Sequence, residues 1–514
     1  MTTRSRAAMG GIAAAAAALG TSELLAGLLS GAGSLVAGIG QLVIDFQPPG
    51  AKDVMVGLFG TNDKLALEVF IVIVALGIGA GLGILARTEM GLASIGFALF
   101  GVIGFLATLR DPLSSPAITA ISAAISVAVG IWVLGWLLGP KRGKTPARVA
   151  GPTSDRTMPD WSRRSFLLRA GGVTVAGVVA GLGGRALLVR QQAIPDQADA
   201  QIPPASVTVP GIGPDQDLAT TVTGLTPIVM PNDRFYRIDT SLLVPMVDTA
   251  DWSLRIHGLV DRETTLSWSE LVGLPMFEQY VTIACVSNEV GGDLVGNAKW
   301  TGVRLREVLA MAGVQASATQ LVGRSVDGWT AGMPTAWVMD PEREPMIAVR
   351  MNDQPLPSAH GFPARLIIPG LYGYVSATKW LAELELTTLE AFDGYWVPLG
   401  WSKEAPILTQ SRIDTPRGPV GAGAVPIAGI AWAPDRGISR VEVGVDGTWY
   451  DARLSRPISD TTWVQWVLDW AATPGSHTIQ VRATDGDGQT QTDLQSPPAP
   501  DGARGWHTRS IRVG

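Results

Sequence analysis

A chain of 514 residues with 61 glycines and a mean hydropathy of +0.25 is unusually apolar for a water-soluble protein. Its length predicts about three domains, and its hydropathy indicates that part of the chain lies in a lipid bilayer. The net charge is only −6, and no basic stripe is interleaved with aromatic residues, so the composition argues against a nucleic-acid partner.

Residues 1–140 are predicted to form a membrane region of about four transmembrane helices. Four apolar stretches are long enough to cross a bilayer, at residues 7–29, 65–86, 90–109 and 117–138. A shorter apolar stretch at 32–46 is predicted to be interfacial or re-entrant. Glu23 interrupts the first stretch, and we expect it to snorkel near the outer end of its helix rather than to serve as a functional intramembrane carboxylate.

Residues 141–165 form a basic loop that ends with Arg163 and Arg164, followed by Ser-Phe-Leu-Leu. Paired arginines before a mildly apolar stretch are typical of a twin-arginine export signal, but they also fit two positive charges on the cytoplasmic side of a fifth span. We favour the export signal, because the flanking residues fit it as well. Residues 166–188 are then an uncleaved fifth transmembrane helix in a bacterial cell membrane, and the following residues lie outside the cytoplasm.

The remainder of the chain is predicted to contain a linker and two folded domains. Residues 189–225 are rich in Pro, Gln, Asp and Ala, which indicates an extracytoplasmic linker. Residues 226–398 mix short strands with helices and predict an α+β domain, in which Ser267 and Glu270 have the spacing of a capping box. Residues 399–514 contain only short alternating strands and hairpin signals, typical of an immunoglobulin-like β-sandwich.

Cys285 is the only cysteine, and it follows an apolar run at 280–283 that predicts a buried strand leading into a polar loop. A side chain at such a strand end is held rigidly and still reaches a ligand. Taken alone, the residue fits a small buried apolar side chain better than a thiolate nucleophile or metal ligand.

A second stretch, residues 360–380, begins with His360 and Arg365 at a turn into a strand and continues through a glycine-rich loop to Lys379. Two cations and open backbone amides can cradle a phosphate group, and histidine can bond to a heterocycle. Each feature is weak alone, because a His-Gly pair is more often part of a surface turn.

The Cys285 loop, the run from Lys299 to Val303, the run from Asn352 to Pro357 and residues 360–380 together resemble the sulfite oxidase superfamily of molybdopterin enzymes. The resemblance covers roughly residues 226–514 and implies a molybdenum-containing molybdopterin cofactor. It implies that Cys285 ligates the metal, since a soft thiolate suits molybdenum. The positions that the resemblance implies for binding the pterin and its phosphate are Asn232, Phe235, Tyr236, Asp327, His360, Arg365, Ala377, Thr378 and Lys379.

The loop after Cys285 departs from the sulfite oxidase pattern. Those enzymes carry arginines close after the metal-binding cysteine, whereas Glu289 stands here. A pocket for a small dianion needs fixed positive charge, so Glu289 argues against a typical sulfite oxidase. Asn288 and Glu289 are our candidate catalytic residues, and Lys299 and Trp329 are further candidates for the lining of the substrate pocket.

The resemblance implies an oxidoreductase that moves an oxygen atom to or from a small substrate in a two-electron step. The apolar spans and the twin-arginine motif, which lie outside the resemblance, predict that this oxidoreductase is membrane-anchored and extracytoplasmic. Its C-terminal domain matches the family's dimerisation domain and allows for a homodimer. The first of the four histidines is His257, and the single cysteine provides no haem-attachment or iron–sulfur set, so we expect an external electron-transfer partner such as a cytochrome or quinone-linked protein. The alternatives are a membrane-anchored binding protein that keeps the fold without catalysis and, with less support, a transporter.

Overall fold

The computed structural model describes residues 2–48, 55, 58–59, 63–111, 113–138, 162–193 and 202–514. The chain divides into two compact units. One contains the residues up to 194 together with Thr240–Met246, and the other contains the rest of the chain to Gly514. Most of the predicted basic loop at 141–165 lies outside the described residues.

The N-terminal unit consists of long apolar helices. Its described helices are α1 (Thr3–Leu28), α2 (Leu35–Asp45), α3 (Asp63–Leu85), α4 (Met90–Thr108), α5 (Pro116–Leu138) and α6 (Arg163–Ala193). All except α2 are long and apolar enough to cross a membrane, and they correspond in position to the five predicted spans. The short helix α2 covers the segment predicted to be interfacial or re-entrant.

Helix α1 packs closely against its neighbours through glycines. A Cβ atom at Gly11 would overlap the carbonyl oxygen of Gly79 in α3, and one at Gly20 would overlap that of Gly177 in α6. Small residues let apolar helices approach where lipid removes the hydrophobic drive for association.

The two acidic residues of the spans have partners. The prediction that Glu23 snorkels is wrong, because the side chain is buried. It accepts hydrogen bonds from the Ser34 hydroxyl at 2.9 Å and from the Val36 amide at 3.4 Å. It thereby helps to satisfy the free amides at the start of α2. Glu68 forms an ion pair with Arg185.

Of the segment predicted to be a linker, residues 189–225, the structure describes 189–193 and 202–225. Helix α6 continues to Ala193, and Leu218, Val222 and Leu225 are buried in one hydrophobic cluster with residues of the C-terminal sheets. The three- and four-residue spacing of these apolar side chains allows them to share one buried face, which composition alone does not reveal.

The next part of the C-terminal unit has the predicted α+β character. Its strands are β1 (Ser253–Gly258), β2 (Thr264–Ser267), β3 (Met276–Ala284), β4 (Val295–Arg304), β5 (Gln320–Ser325), β6 (Thr330–Pro334), β7 (Met346–Met351), β8 (Gln354–Pro355), β9 (Arg365–Ile367) and β10 (Leu381–Thr387). Its helices are α7 (Trp268–Val272), α8 (Leu305–Ala312), α9 (Thr335–Met339) and α10 (Gly373–Ser376).

These strands form two sheets. One has the order β2-β1-β10-β5-β6, with β1 and β10 parallel. The other has the order β3-β4-β7-β8, and β9 also pairs with β7. The predicted capping box is present at the start of α7, where Ser267 and Glu270 each bond the other's backbone amide. Strands β3 and β9, which carry or precede residues of the candidate cofactor site, both belong to the second sheet.

The last part of the unit is all-β. Its strands are β11 (Gln410–Thr415), β12 (Gly423–Trp432), β13 (Ile438–Val445), β14 (Thr448–Asp451), β15 (Arg453–Leu454), β16 (Val464–Ala472), β17 (Gly475–Asp485) and β18 (His507–Val513). They form two antiparallel sheets with orders β11-β12-β16-β15 and β14-β13-β17-β18. Side chains of both sheets, among them Ile427, Val443 and Trp466, share one hydrophobic core.

Replacing Gly302 with alanine tests the close approach of β4 and β7. The new Cβ atom would overlap the Ile347 carbonyl oxygen and lie 2.7 Å from the Ala348 Cα atom, so the strands must separate. We expect a loss of about 1–3 kcal/mol, seen as a lower thermal midpoint of tryptophan fluorescence in detergent. Gly211→Ala is the control, because a Cβ atom there has no neighbour within 4 Å. Equal midpoints for the two variants would contradict the close approach.

Candidate cofactor and active site

Cys285 lies directly after β3, where the β3–β4 hairpin opens, and its side chain is buried. Its amide donates to the Leu294 carbonyl at 2.9 Å, and its carbonyl accepts from the Asn288 amide at 3.1 Å. The thiol is therefore held at a defined position at the edge of the sheet. The tyrosines that interact electrostatically with it are Tyr236, Tyr372 and Tyr374.

His360 is buried with one ring nitrogen unsatisfied. Its Nε2 donates to the Asn232 carbonyl at 2.9 Å, so Nδ1 is the acceptor nitrogen of the neutral ring. Among the described residues Nδ1 has no hydrogen-bond partner. Burial and the nearby Lys379 charge lower the pKa of His360 to about 4, so the ring is neutral at pH 7. A buried acceptor left unpaired costs about 1–3 kcal/mol, which a donor on a bound group would recover.

Arg365, the first residue of β9, is a buried cation. Its Nη1 donates to the His360 carbonyl at 2.9 Å and its guanidinium lies 5.1 Å from the centre of the Trp300 ring. Its Nε is buried and has no hydrogen-bond partner in the described part of the chain. Burial lowers the pKa of Arg365 to about 10. A buried charge bonded only to carbonyls is costly, and a bound phosphate ester would offset part of that cost.

Lys379 lies beside Arg365 in the same buried region. Its ammonium group donates to Asp239 at 2.9 Å and to the Ala359 carbonyl at 3.0 Å. Burial, together with the Arg365 charge, lowers the pKa of Lys379 to about 8, although Asp239 acts in the opposite direction. Gly361 has φ +114°, and a Cβ atom there would lie 3.0 Å from the Lys379 Cα atom. The glycine therefore lets the His360 turn approach Lys379.

Two carboxylates compensate this charge incompletely. Asp239 pairs with Lys379 and also with Arg237, at 2.8 Å. Asp327 accepts from the Trp329 amide at 3.1 Å, and burial raises its pKa. The acceptor nitrogen of His360, the Arg365 guanidinium with its unsatisfied Nε and the Cys285 thiol are therefore the kinds of group that fit a pterin with a phosphate and a thiolate-bound metal.

The upstream segment supports this site from behind. The Asn232 side chain donates to the Met351 carbonyl at 3.2 Å and accepts from Asn352 at 2.8 Å. The backbone carbonyl of Asn232 is therefore the group that faces His360. Phe235 is buried 5.6 Å from the His360 ring. Tyr236 stacks on Phe235. A Cβ atom at Gly373 would lie 4.0 Å from the Tyr236 hydroxyl and 3.7 Å from the carbonyl of Ala284, the residue before Cys285.

Ala377 and Thr378 hold the loop that leads to Lys379. The Ala377 amide donates to the Gly373 carbonyl at 2.9 Å, and the Thr378 carbonyl accepts from the Leu366 amide at 2.9 Å. Both residues are buried, so their contribution is to place the backbone of this loop against β9.

The four residues predicted to line the substrate pocket differ in position. Asn288 is buried, and its Oδ1 accepts from the Leu294 amide at 2.9 Å, so it closes the Cys285 loop. Glu289 is exposed on that loop and Trp329 is half-buried beside Asp327. The Lys299 ammonium group forms ion pairs with Asp353 at 2.5 Å and with Glu278 at 3.7 Å, and neither of these carboxylates pairs with Arg365 or Lys379 in this structure.

Sequence reasoning missed three residues of this region: Asp239, Tyr372 and Tyr374. Asp239 is the carboxylate closest to Lys379, and the signal for it was the Arg-Ile-Asp pattern at 237–239. The tyrosines flank Gly373 in the glycine-rich loop, and burial raises the pKa of each hydroxyl. The signal that could have identified these two residues was an aromatic hydroxyl on each side of a glycine in this loop.

Comparison with known proteins agrees with this chemistry. A family model described as oxidoreductase molybdopterin binding domain matches residues 241–396. Human mitochondrial sulfite oxidase is 31% identical over 321 residues, covering 52% of this chain and 58% of that protein. An uncharacterized oxidoreductase, YuiH of Bacillus subtilis (strain 168), is 32% identical over 154 residues, covering 30% of this chain and 74% of that protein. The sulfane dehydrogenase SoxCD of Paracoccus pantotrophus aligns with a TM-score of 0.48 at 21% identity, covering 62% of this chain and 90% of that one.

The site and the matched domain define a molybdopterin-binding oxidoreductase. The chain belongs to the sulfite oxidase superfamily of these enzymes. It spans 58% of the length of the human relative, and the matched residues leave out the N-terminal helices.

If Lys379 binds the cofactor phosphate, as the resemblance implies, cofactor binding is expected to depend on pH. Because its pKa is about 8 in the cofactor-free protein, the ammonium group loses its proton as the pH rises through 8. We expect affinity for the phosphate-bearing cofactor to fall by up to about tenfold per pH unit above that value. Fluorescence titration of the cofactor-free chain with molybdopterin between pH 7 and 9.5 measures it. Lys379→Arg, whose charge persists, should flatten the profile, and a persistent fall in this variant would assign the titration to another group.

Proposed function

We propose that this chain is a membrane-anchored oxidoreductase that binds molybdopterin beside Cys285 and transfers an oxygen atom to or from a small substrate. The observation that supports it best is the buried pair of atoms His360 Nδ1 and Arg365 Nε, neither of which has a hydrogen-bond partner among the described residues. Both lie in the region that also holds Lys379. Such groups are costly in a folded protein unless a ligand completes them. A binding protein without catalysis would need to retain this costly arrangement without using it.

The bound cofactor supplies the two-electron redox change that oxygen-atom transfer requires. Cys285 provides the thiolate for the metal, and its backbone bonds to Leu294 and Asn288 orient it. Neutral His360 accepts a hydrogen bond from the pterin, while Arg365 and Lys379 bind the phosphate. Burial of these side chains excludes water and strengthens each electrostatic contact. Phe235 packs against the His360 ring, and Ala377 and Thr378 hold the backbone of the loop that leads to Lys379.

Glu289 is proposed to determine the charge of the substrate. It is exposed four residues beyond Cys285, on the loop that follows the thiol. A carboxylate at the rim of a site repels anions and lowers their local concentration. The substrate is therefore proposed to be a small neutral or cationic oxygen donor or acceptor, such as a sulfoxide or an N-oxide, rather than sulfite.

The helices of the N-terminal unit are proposed to anchor the enzyme. Five of them are long and apolar enough to span a bilayer, and Arg163 and Arg164 lie at the start of α6, where they fit a twin-arginine signal and positive charge on the cytoplasmic side. The catalytic unit then lies outside the cytoplasm of a bacterial cell. We propose an external electron-transfer partner, and a homodimer formed through an immunoglobulin-like C-terminal domain.

Replacing Cys285 with serine tests the proposed metal ligand. The harder hydroxyl binds molybdenum poorly, so we expect turnover to fall by more than the ~100-fold typical of lost outer-shell partners. The molybdenum electron paramagnetic resonance signal should change or vanish, with metal content measured in parallel. Ser287→Ala, in the same loop, is the control and should retain both. Unchanged turnover and signal in the serine variant would remove Cys285 from the site.

Replacing Glu289 with arginine tests the substrate proposal. The charge reversal should lower the KM for sulfite by about tenfold at low ionic strength, with a smaller effect at high salt. The kcat/KM for a neutral sulfoxide serves as the internal control and should stay within about twofold, because charge near the rim acts weakly on a neutral molecule. Equal changes for both substrates would mean that Glu289 acts on the fold of the loop and not on substrate charge.

A further inference from the structure

The loop that follows Cys285 is closed by its own backbone near its start and end. The Cys285 amide donates to the Leu294 carbonyl, and the Leu294 amide donates to Asn288 Oδ1, each at 2.9 Å. Between these bonds lie Gly291, with φ +79°, and Gly292. The Gly292 amide donates to the Glu289 carbonyl at 2.9 Å, which is the local restraint on this part of the loop. Because glycines restrict the backbone little, contacts from outside the loop add to the restraint on its conformation.

Arg412 on β11 provides one such contact. Its Nη1 donates to the Gly292 carbonyl at 2.8 Å. The same guanidinium donates from Nε to buried Asp414 at 2.7 Å and from Nη2 to the Thr226 hydroxyl at 2.8 Å. Asp414 in turn accepts from the Thr226 amide at 3.1 Å. A planar group fixed on three sides is a rigid donor, so the Gly292 carbonyl has one preferred place.

His507, the first residue of β18, provides a second contact. Its Nδ1 accepts from the Ile413 amide at 2.9 Å, which fixes the ring against β11. A Cβ atom at Gly291 would lie 2.5 Å from His507 Cδ2, so the ring is packed directly on the Gly291 α-carbon. Burial, with the charges of Arg509 and Arg412, lowers the pKa of His507 to about 4, and the ring therefore accepts this bond at neutral pH.

We propose that Arg412 and His507 are positioning residues that set the direction of the Cys285 thiol by holding the Gly291–Gly292 part of its loop. The inference rests on the proposed role of Cys285 as the metal ligand. Groups that orient a ligand tune the metal even though they do not touch it. The C-terminal sheets are then part of the support of the metal site.

Hydrogen exchange in the full-length, cofactor-free chain in detergent tests the contact without any metal. We expect the Gly292 and Leu294 amides to exchange about tenfold faster in His507→Asn, which keeps an acceptor for Ile413 but lacks the ring. Arg412→Gln combined with Asp414→Asn, which leaves no unpaired buried carboxylate, should have the same effect. Arg412→Lys should recover part of the protection.

Arg509→Gln is the matched control, because Arg509 also lies on β18 and donates to the Ile413 carbonyl at 3.2 Å without contacting the loop in this structure. In this variant the Gly292 and Leu294 amides should exchange at the wild-type rate. Wild-type exchange in the His507 and Arg412 variants, or equal acceleration throughout β11 and β18, would overturn the proposal.

The molybdenum-loaded chain gives the second readout. The variants should keep their metal content but shift the g values of the molybdenum resonance, whereas Arg509→Gln should not. Unchanged g values with accelerated exchange would overturn the link from the loop to the thiol. If instead Cys285→Ser leaves the wild-type resonance unchanged, the proposed metal ligand fails, and the exchange data still report on the loop by themselves.

Discussion

The catalytic unit is organised around positive charge that it buries and does not fully neutralise. Arg365 and Lys379 lie together with Asp239, which is also shared with Arg237. Folding alone does not favour such an arrangement, because an uncompensated charge is costly away from water. The glycine turn at Gly361, the short strand β9 and the loop through Thr378 all serve to keep these groups in place. A bound anion would complete these groups, in keeping with the cofactor role proposed for them.

The α+β part and the C-terminal sheets are joined more closely than a chain of separate domains. The Thr282 amide donates to the Thr461 carbonyl at 2.9 Å, and Trp463 Nε1 donates to the Ile228 carbonyl at 2.8 Å. Both bonds lie beside β3, the strand that ends at Cys285. A change deep in the C-terminal sheets therefore reaches the catalytic strand through direct bonds.

Local patterns were the most predictable part of this chain. The capping box at Ser267, the strand before Cys285 and the five apolar helices depend on residues near each other in sequence, and the structure has each of them. The partners of Glu23 lie beyond the end of its own helix, and the packing of Leu218 and the pairing of Lys379 with Asp239 join residues 140 or more positions apart. Sequence patterns do not specify such contacts. Residue identity predicted the candidate cofactor groups because they resembled a family, and only coordinates showed which atoms are unsatisfied.

The ten residues between β3 and β4, from Cys285 to Leu294, include both bonded and exposed positions. The anchors of this loop, Asn288 and Gly292, are bonded to Leu294 and to Arg412, while Glu289 between them is exposed. The exposed positions are therefore free to vary while the anchors stay the same. Exchanging Glu289 for another side chain removes none of the bonds that hold Asn288 and Gly292. The same loop backbone is thus compatible with different charges close to Cys285.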